Sequence, residues 1–166
     1  MYRMILVPLD GSELAVSILE EVGALARAYK ARLLLLTVGP SLPASLPQAQ
    51  DIQLTLTFQA EAYLDHIRMT LESRGLEVET AVRIGDPASE ILDVADHECV
   101  DLIVIHSRGG EGAPSPFLGS VAARVAGASA TPVLVLHPAH VTPDSGSDDG
   151  RALSYPHEVL PIAPSQ

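Results

Sequence analysis

The sequence contains a single cysteine and no tryptophan, and aromatic residues make up only 4% of its 166 positions. With Cys99 alone, neither an intrachain disulfide nor a thiolate metal cluster within one subunit can form. No histidine or cationic side chain adjoins Cys99. We therefore expect it to be a small buried residue near a helix end rather than a reactive thiol.

Basic residues are also scarce, with 10 lysines and arginines against 21 acidic residues and a net charge of −11. Nucleic acids and anionic membranes both require a basic face, so we expect neither as a partner. A nucleotide would have to be held by local N–H donors, with help from a divalent cation. No apolar run approaches the roughly 20 residues of a membrane span, and no signal-peptide pattern follows residues 1–3, so we expect a cytoplasmic protein.

Short apolar segments alternate with segments of helical periodicity along most of the chain. Four such alternations are typical of a doubly wound α/β domain. We predict an open five-stranded parallel sheet of order 3-2-1-4-5 with helices on both faces. The strands are expected at residues 4–9, 33–38, 76–84, 102–105 and 133–136, and the helices at 12–29, 54–73, from 87 and from 120.

The composition changes near the end of the chain. Residues 139–166 are rich in proline, serine, aspartate and glycine and lack periodicity, which predicts a flexible tail after a single domain at 1–138. The fifth strand is apolar on both faces but falls at the edge of the predicted sheet. Since exposed apolar edges promote unwanted pairing, we expect a second copy of the protein to cover it as a homodimer.

One stretch, residues 101–136, indicates a ligand site. An apolar strand breaks there into a glycine-rich loop, which closes on Gly119 and Ser120 at the start of a helix. Exposed amides and the positive end of the helix dipole would together bind phosphate or another anion. Asp10, at the carboxyl end of the first strand, could accept hydrogen bonds from an adenine amine or a ribose hydroxyl, or could instead cap the first helix with Ser12.

Four segments in order resemble the universal stress protein family, and the resemblance covers about residues 2–138. Each segment alone is weak evidence, but their order and spacing together are specific. They are Ile5–Ser12 (ILVPLDGS), Gly85–Ala88 (GDPA), Asp101–Ile105 (DLIVI), and Gly119–Ala122 (GSVA) followed by Thr131–Val135 (TPVLV).

The resemblance implies a Rossmann-like fold and, for its ATP-binding members, a motif of glycine, two residues, glycine, nine residues, glycine and Ser or Thr. Alignment on Gly119 and Ser120 puts the middle glycine at Gly109 and the first at His106. The implied ligand is ATP, with or without Mg²⁺. By this resemblance, the adenosine pocket would be lined by Pro8, Asp10 and Val38, and the phosphates would meet Gly109, Gly119, Ser120 and Val121.

His106 is the main departure from that motif. If the position requires a positive φ, a Cβ costs on the order of 1 kcal/mol, whereas an imidazole that fills the pocket would block the ligand. Pro114 and Pro116 remove loop amides, while Arg108 could neutralise a phosphate.

Two functions stay open at this point. The first is an ATP-binding stress-response regulator with an unidentified protein partner, and the alternative is a family member that works through protein contacts alone. We do not expect an enzyme beyond weak ATP hydrolysis, because the sequence shows no base oriented by a third group.

Overall fold

The computed structural model describes residues 1–107 and 118–137. All strand pairs in it are parallel, in the order β3-β2-β1-β4-β5, which confirms the predicted sheet. Gly109 and the other residues of 108–117, as well as the predicted tail at 139–166, lie outside the described residues. The strands are β1 (Met4–Pro8), β2 (Arg32–Gly39), β3 (Val78–Ile84), β4 (Leu102–His106) and β5 (Val133–Leu136), and the helices are α1 (Glu13–Ser17), α2 (Leu19–Tyr29), α3 (Ala49–Glu72), α4 (Pro87–His97) and α5 (Ser120–Ala128).

The sheet separates two apolar cores, because side chains along a strand alternate between its faces. Leu33 and Leu35 of β2 pack with α1, α2 and α3 on one face. Leu34 and Leu36 pack with α4 and α5 on the other. The central strands β1 and β4 are buried throughout, as expected for strands covered on both faces.

Two helix boundaries differ from the prediction. The first helix is broken at Ile18, whose amide donates to the carbonyl of Val16. Helical hydrogen bonding begins again with the amide of Val22, which donates to the carbonyl of Ile18 at 3.0 Å. Ile18 and Leu19, at the break, are both buried in the same core. The helix predicted from residue 54 begins earlier, at Ala49.

Helix α4 has the predicted start. Asp86 accepts a hydrogen bond from the amide of Ser89 at 3.0 Å, and Pro87 is the first helical residue. The expectation for Cys99, however, is wrong: this residue is exposed. It lies in the turn after α4 with a φ of +52°, and it is the next residue, Val100, that enters the core.

Strand β5 lies at the predicted edge of the sheet and has the predicted bounds. Val133 and Val135 pack against the core beneath α4 and α5, and Leu136 packs against the opposite core. The side chain of Leu134 is 38% exposed. The strand therefore presents an apolar surface as well as an open backbone edge.

Candidate functional site

A cavity of about 200 Å³ opens at the carboxyl ends of β1, β2 and β4. Six of the seven residues predicted from the sequence to bind a ligand line it, and the seventh, Gly109, lies outside the described residues. The lining consists of Pro8, Leu9, Asp10, Leu36, Val38, Pro87, Ile91, Ile105, His106, Gly119, Ser120, Val121 and Ala122.

The topology of the sheet explains the place of this cavity. Strand β1 pairs with β2 on one side and with β4 on the other. The chain leaves β1 through helices on one face of the sheet and leaves β4 toward α5 on the opposite face. Connections that diverge in this way leave a crevice outside the strand ends, which is where open parallel sheets bind ligands.

One wall of the cavity is apolar. Pro8 and Leu36 come from the ends of β1 and β2, and Ile91 comes from α4. Thr37 fixes the two strand ends together, since its hydroxyl donates to the carbonyl of Leu9 at 3.2 Å. This wall suits a flat, apolar group such as an aromatic ring.

Asp10 faces the cavity and supports the start of α1 at the same time. Its Oδ1 accepts hydrogen bonds from the amide of Ser12, at 3.0 Å, and from the Ser12 hydroxyl. The Ser12 oxygen in turn accepts from the amide of Ala15 at 3.1 Å and caps the helix. The two interpretations of Asp10 left open by the sequence therefore do not exclude each other.

The second oxygen of Asp10, Oδ2, lies 3.5 Å from Nε2 of His106. Burial tends to raise the pKa of the Asp10 carboxyl, but hydrogen bonds from His106 and Ser12 outweigh that effect and hold its pKa well below the usual range. The side chain of Asp10 is still 41% exposed. The carboxylate is thus charged at neutral pH and reachable from the cavity.

His106 is the last residue of β4 rather than part of a loop. Its φ is not positive, because the non-glycine residues with positive φ in the described chain are Lys30, Gln48 and Cys99. The free-energy cost of a Cβ at a positive φ, which was open from the motif alignment, is therefore absent. What distinguishes His106 from a glycine is the imidazole itself. Only 7% of the side chain is exposed, and Nδ1 is buried with no hydrogen-bond partner among the described residues.

The start of α5 lines another part of the cavity. The first hydrogen bond within this helix runs from the amide of Ala123 to the carbonyl of Gly119 at 2.9 Å. The amides of Ser120, Val121 and Ala122 therefore precede the helical ladder. The N-cap residue, Gly119, makes no side-chain hydrogen bond to this end, and amides at a helix start that lack an intrahelical partner favour anionic groups.

A bidentate ion pair joins α5 to the start of α4. Two guanidinium nitrogens of Arg124 each lie 2.8 Å from an oxygen of Asp86. The hydrogen bonds from Arg124 and from Ser89 hold the pKa of Asp86 well below its usual range. Sequence reasoning missed this pair, since the two residues are 38 positions apart and nothing local marks them as partners.

Within residues 1–107 and 118–137, no group of three or more histidine, cysteine or acidic side chains could hold a metal ion. None of the helices in that part of the chain is both long and apolar enough to cross a bilayer.

Comparison with known proteins identifies the family. The sequence model of the universal stress protein family matches residues 1–137. The chain is 31% identical over 151 residues to the universal stress protein YxiE of Bacillus subtilis, covering 82% of this chain and 99% of the relative. It is 30% identical over 154 residues to the universal stress protein MJ0577 of Methanocaldococcus jannaschii, covering 82% and 95%.

Solved structures agree with these sequence matches. A structure of MJ0577 superposes with a TM-score of 0.74 at 32% identity, covering 82% of this chain and 96% of that one. A universal stress protein in complex with cAMP superposes with a TM-score of 0.60 at 27% identity, covering 82% and 98%. The five-stranded fold and the match along residues 1–137 show that the chain belongs to the universal stress protein family.

Proposed function

We propose that this protein is a stress-response regulator that binds an adenine nucleotide, with ATP the expected ligand, in the cavity at the strand ends. The observation that carries the proposal is the composition of one cavity. Its lining combines apolar side chains of β1, β2 and α4 with the backbone amides at the start of α5. A nucleotide has the same two-sided character, since an aromatic base is joined to an anionic phosphate chain.

The base would lie against Pro8 and Val38, and the phosphates would meet the amides of Ser120 and Val121 beside Gly119. Gly109 stays in the proposal as a phosphate-binding residue on the strength of the family resemblance. The relative solved with cAMP supports the choice of an adenine nucleotide. The net charge of −11 opposes any anion at long range, so affinity would come from these local amides.

Mg²⁺ is the cation expected with ATP. It would be held mainly by phosphate oxygens and water, as is usual for this ion. Among the described residues that line the cavity, Asp10 is the one carboxylate. Two of its lone pairs already accept hydrogen bonds from Ser12, so we assign the ion to the phosphates rather than to a protein site.

A regulatory role fits this geometry better than catalysis. A histidine paired with an aspartate can act as a general base only if its other ring nitrogen reaches the reacting group. In His106 the nitrogen near Asp10 is Nε2, and the other, Nδ1, is buried. Bound nucleotide would therefore act by changing the contacts that the protein makes, with at most weak hydrolysis.

Isothermal titration calorimetry with ATP and Mg²⁺ tests the proposal when the protein is compared with Gly119→Val. Gly119 has a φ of −59°, which valine also adopts, so the added side chain blocks the start of α5 without forcing the backbone. Ala126→Val adds the two methyl groups of a valine to the exposed side of α5 and is the control. Micromolar binding that Gly119→Val loses and Ala126→Val keeps is the expected result.

The same proposal includes a homodimer formed through β5 and a cytoplasmic location. Val133 to Leu136 combine an open backbone edge with apolar side chains on both faces. A second copy would continue the sheet or cover those side chains.

One observation favours the second candidate, a family member that binds no nucleotide. Both oxygens of Asp10 already have neighbours, Ser12 and His106, without any ligand. If this pair closes the cavity, the protein would act through protein contacts alone. Absence of binding at millimolar ATP in the calorimetric experiment would support that candidate and overturn the nucleotide proposal.

A further inference from the structure

We propose that Asp10 and His106 together form a subsite for the ribose hydroxyls and make this protein selective for ribonucleotides over deoxyribonucleotides. The inference rests on the proposed function, because it concerns the same cavity. It assigns to His106, which stands where the family motif has glycine, a direct role in ligand selection.

The order of the strands places the pair between the two ends of a nucleotide. Across the sheet, β2 carries Val38 at the apolar end of the cavity, β1 leads to Asp10, and β4 ends at His106. Helix α5, the next element after β4 in the chain, contributes Gly119 and Ser120 to the cavity wall. In a nucleotide the sugar connects base and phosphate, so a base on the β2 side and phosphates at α5 put the sugar over Asp10 and His106.

The chemistry of the pair complements a hydroxyl group. Asp10 Oδ2 is an acceptor, and the imidazole of His106 presents its Nε2 toward that oxygen as a donor. The two atoms are 3.5 Å apart, which is long for a hydrogen bond. One hydroxyl oxygen can therefore lie within about 2.9 Å of both, accepting from Nε2 and donating to Oδ2.

The surroundings of the pair limit its alternatives. Ser12 holds the other oxygen of Asp10 through two hydrogen bonds, and burial holds the ring of His106 with only 7% of its side chain exposed. Both groups are thus fixed before a ligand arrives. A deoxyribose that lacks the bridging hydroxyl would leave Oδ2 of Asp10 and Nε2 of His106 without their ligand partner. The nucleotide should then bind more weakly.

The test compares ATP, 2′-deoxy-ATP and 3′-deoxy-ATP in calorimetric titrations with Mg²⁺. We expect at least one deoxy analogue to bind about tenfold more weakly than ATP, the effect of one hydrogen bond to a charged group that stays partly solvated. GTP is included to test whether the pair contacts the base instead of the ribose. In that case the protein would distinguish GTP from ATP but would bind the deoxy analogues as tightly as ATP, and this result would overturn the assignment to ribose.

Two variants remove one member of the pair each. Asp10→Asn keeps an acceptor for Ser12 but replaces the second oxygen with a donor, and His106→Leu keeps most of the volume without the ring nitrogens. Each should reduce the gap between ATP and the sensitive analogue to about twofold or less. His106→Gln restores a donor near the position of Nε2 and should restore the gap.

Val38→Ala is the matched control, since it shortens the apolar wall and should weaken ATP and the deoxy analogues by the same factor. Circular dichroism establishes that each variant is folded, and Asp10→Asn carries the test alone if the Leu variant is not. Equal binding of all three adenine nucleotides by the unmodified protein would overturn this inference and leave the proposed function standing. If none of them binds, both fail.

Discussion

Truncation of two neighbouring leucines on β2 separates the role of the core from that of the cavity. Leu35 and Leu36 are both fully buried, and their side chains lie on opposite faces of the sheet. Leu35 packs on the side of α1, α2 and α3 and does not line the cavity. Leu36 packs with α4 and α5 and lines the cavity. Changing either to alanine removes the same atoms.

The expected losses of stability differ because the two voids differ. Removing three carbon groups costs about 2.4 kcal/mol at roughly 0.8 kcal/mol each. Leu→Ala changes in cores cost about 2–5 kcal/mol in total, and the excess grows with the cavity that remains. Leu35→Ala leaves a closed void and should cost about 4 kcal/mol. Leu36→Ala enlarges a space that already exists and should cost about 2.5 kcal/mol.

Ligand binding should follow the opposite order. In Leu36→Ala the apolar wall recedes from the base, and we expect ATP affinity to fall about tenfold. Leu35→Ala should leave the affinity of the folded protein within about twofold of the original. Urea unfolding measures the stabilities, and calorimetry under conditions where both variants are folded measures the affinities. Equal changes in affinity for the two variants would contradict the placement of the base against β2.

Three further predictions concern the helix start, acid stability and the sheet edge. Ser12→Ala removes the cap of α1 and should lower the free energy of unfolding by about 1 kcal/mol in urea titrations, a loss that Ser12→Asp should largely avoid. In the folded protein the pKa values of Asp86 and Asp101 lie below the ordinary value of 3.8. The two ionised carboxylates therefore stabilise the fold fully above about pH 4, and this stabilisation is lost as the pH falls through their native pKa values. A melting temperature measured from pH 6 to pH 2 should accordingly decline below pH 4, and less steeply in Asp86→Asn. Leu134→Glu at the edge strand should convert the proposed dimer to a monomer in sedimentation equilibrium, whereas a dimer that persists would place the interface elsewhere.

Much of the fold follows from local patterns in the sequence. Strand β5 has the bounds that its apolar run predicts, and α4 begins at residue 87 as predicted. These features depend on short-range chemistry, namely side-chain burial, a cap and a fixed φ. The order of the sheet could be predicted because parallel crossovers permit few arrangements.

The features that could not be predicted depend on tertiary packing. The break at Ile18 is one of them, because the apolar periodicity of residues 12–29 fits a single continuous helix. Cys99 is exposed because, in the turn after α4, its neighbour Val100 enters the core instead. The ion pair of Asp86 with Arg124 depends on how two helices pack, and no local pattern encodes it.

The candidate site shows the same division between local and tertiary information. The family resemblance groups Pro8, Asp10 and Val38 with the start of α5, and all of them line the cavity. The conformation of His106 could not be derived from spacing, because the motif marks a glycine without stating whether it serves a positive φ or close approach. In β4 the backbone is ordinary, so the steric and polar properties of the imidazole decide its effect.

The distribution of buried polar residues connects the fold to the proposed ligand. Among the described residues, the buried polar or charged ones are Thr37, His106 and Ser107. All three lie at the carboxyl ends of β2 and β4, next to the cavity, whereas the interior along the rest of the sheet is apolar. Buried polar groups cost free energy unless they gain partners. These residues are concentrated at the carboxyl ends of the strands, and Nδ1 of His106 has no hydrogen-bond partner there among the described residues. This is the pattern expected where a protein gives up some folding stability to form a binding site.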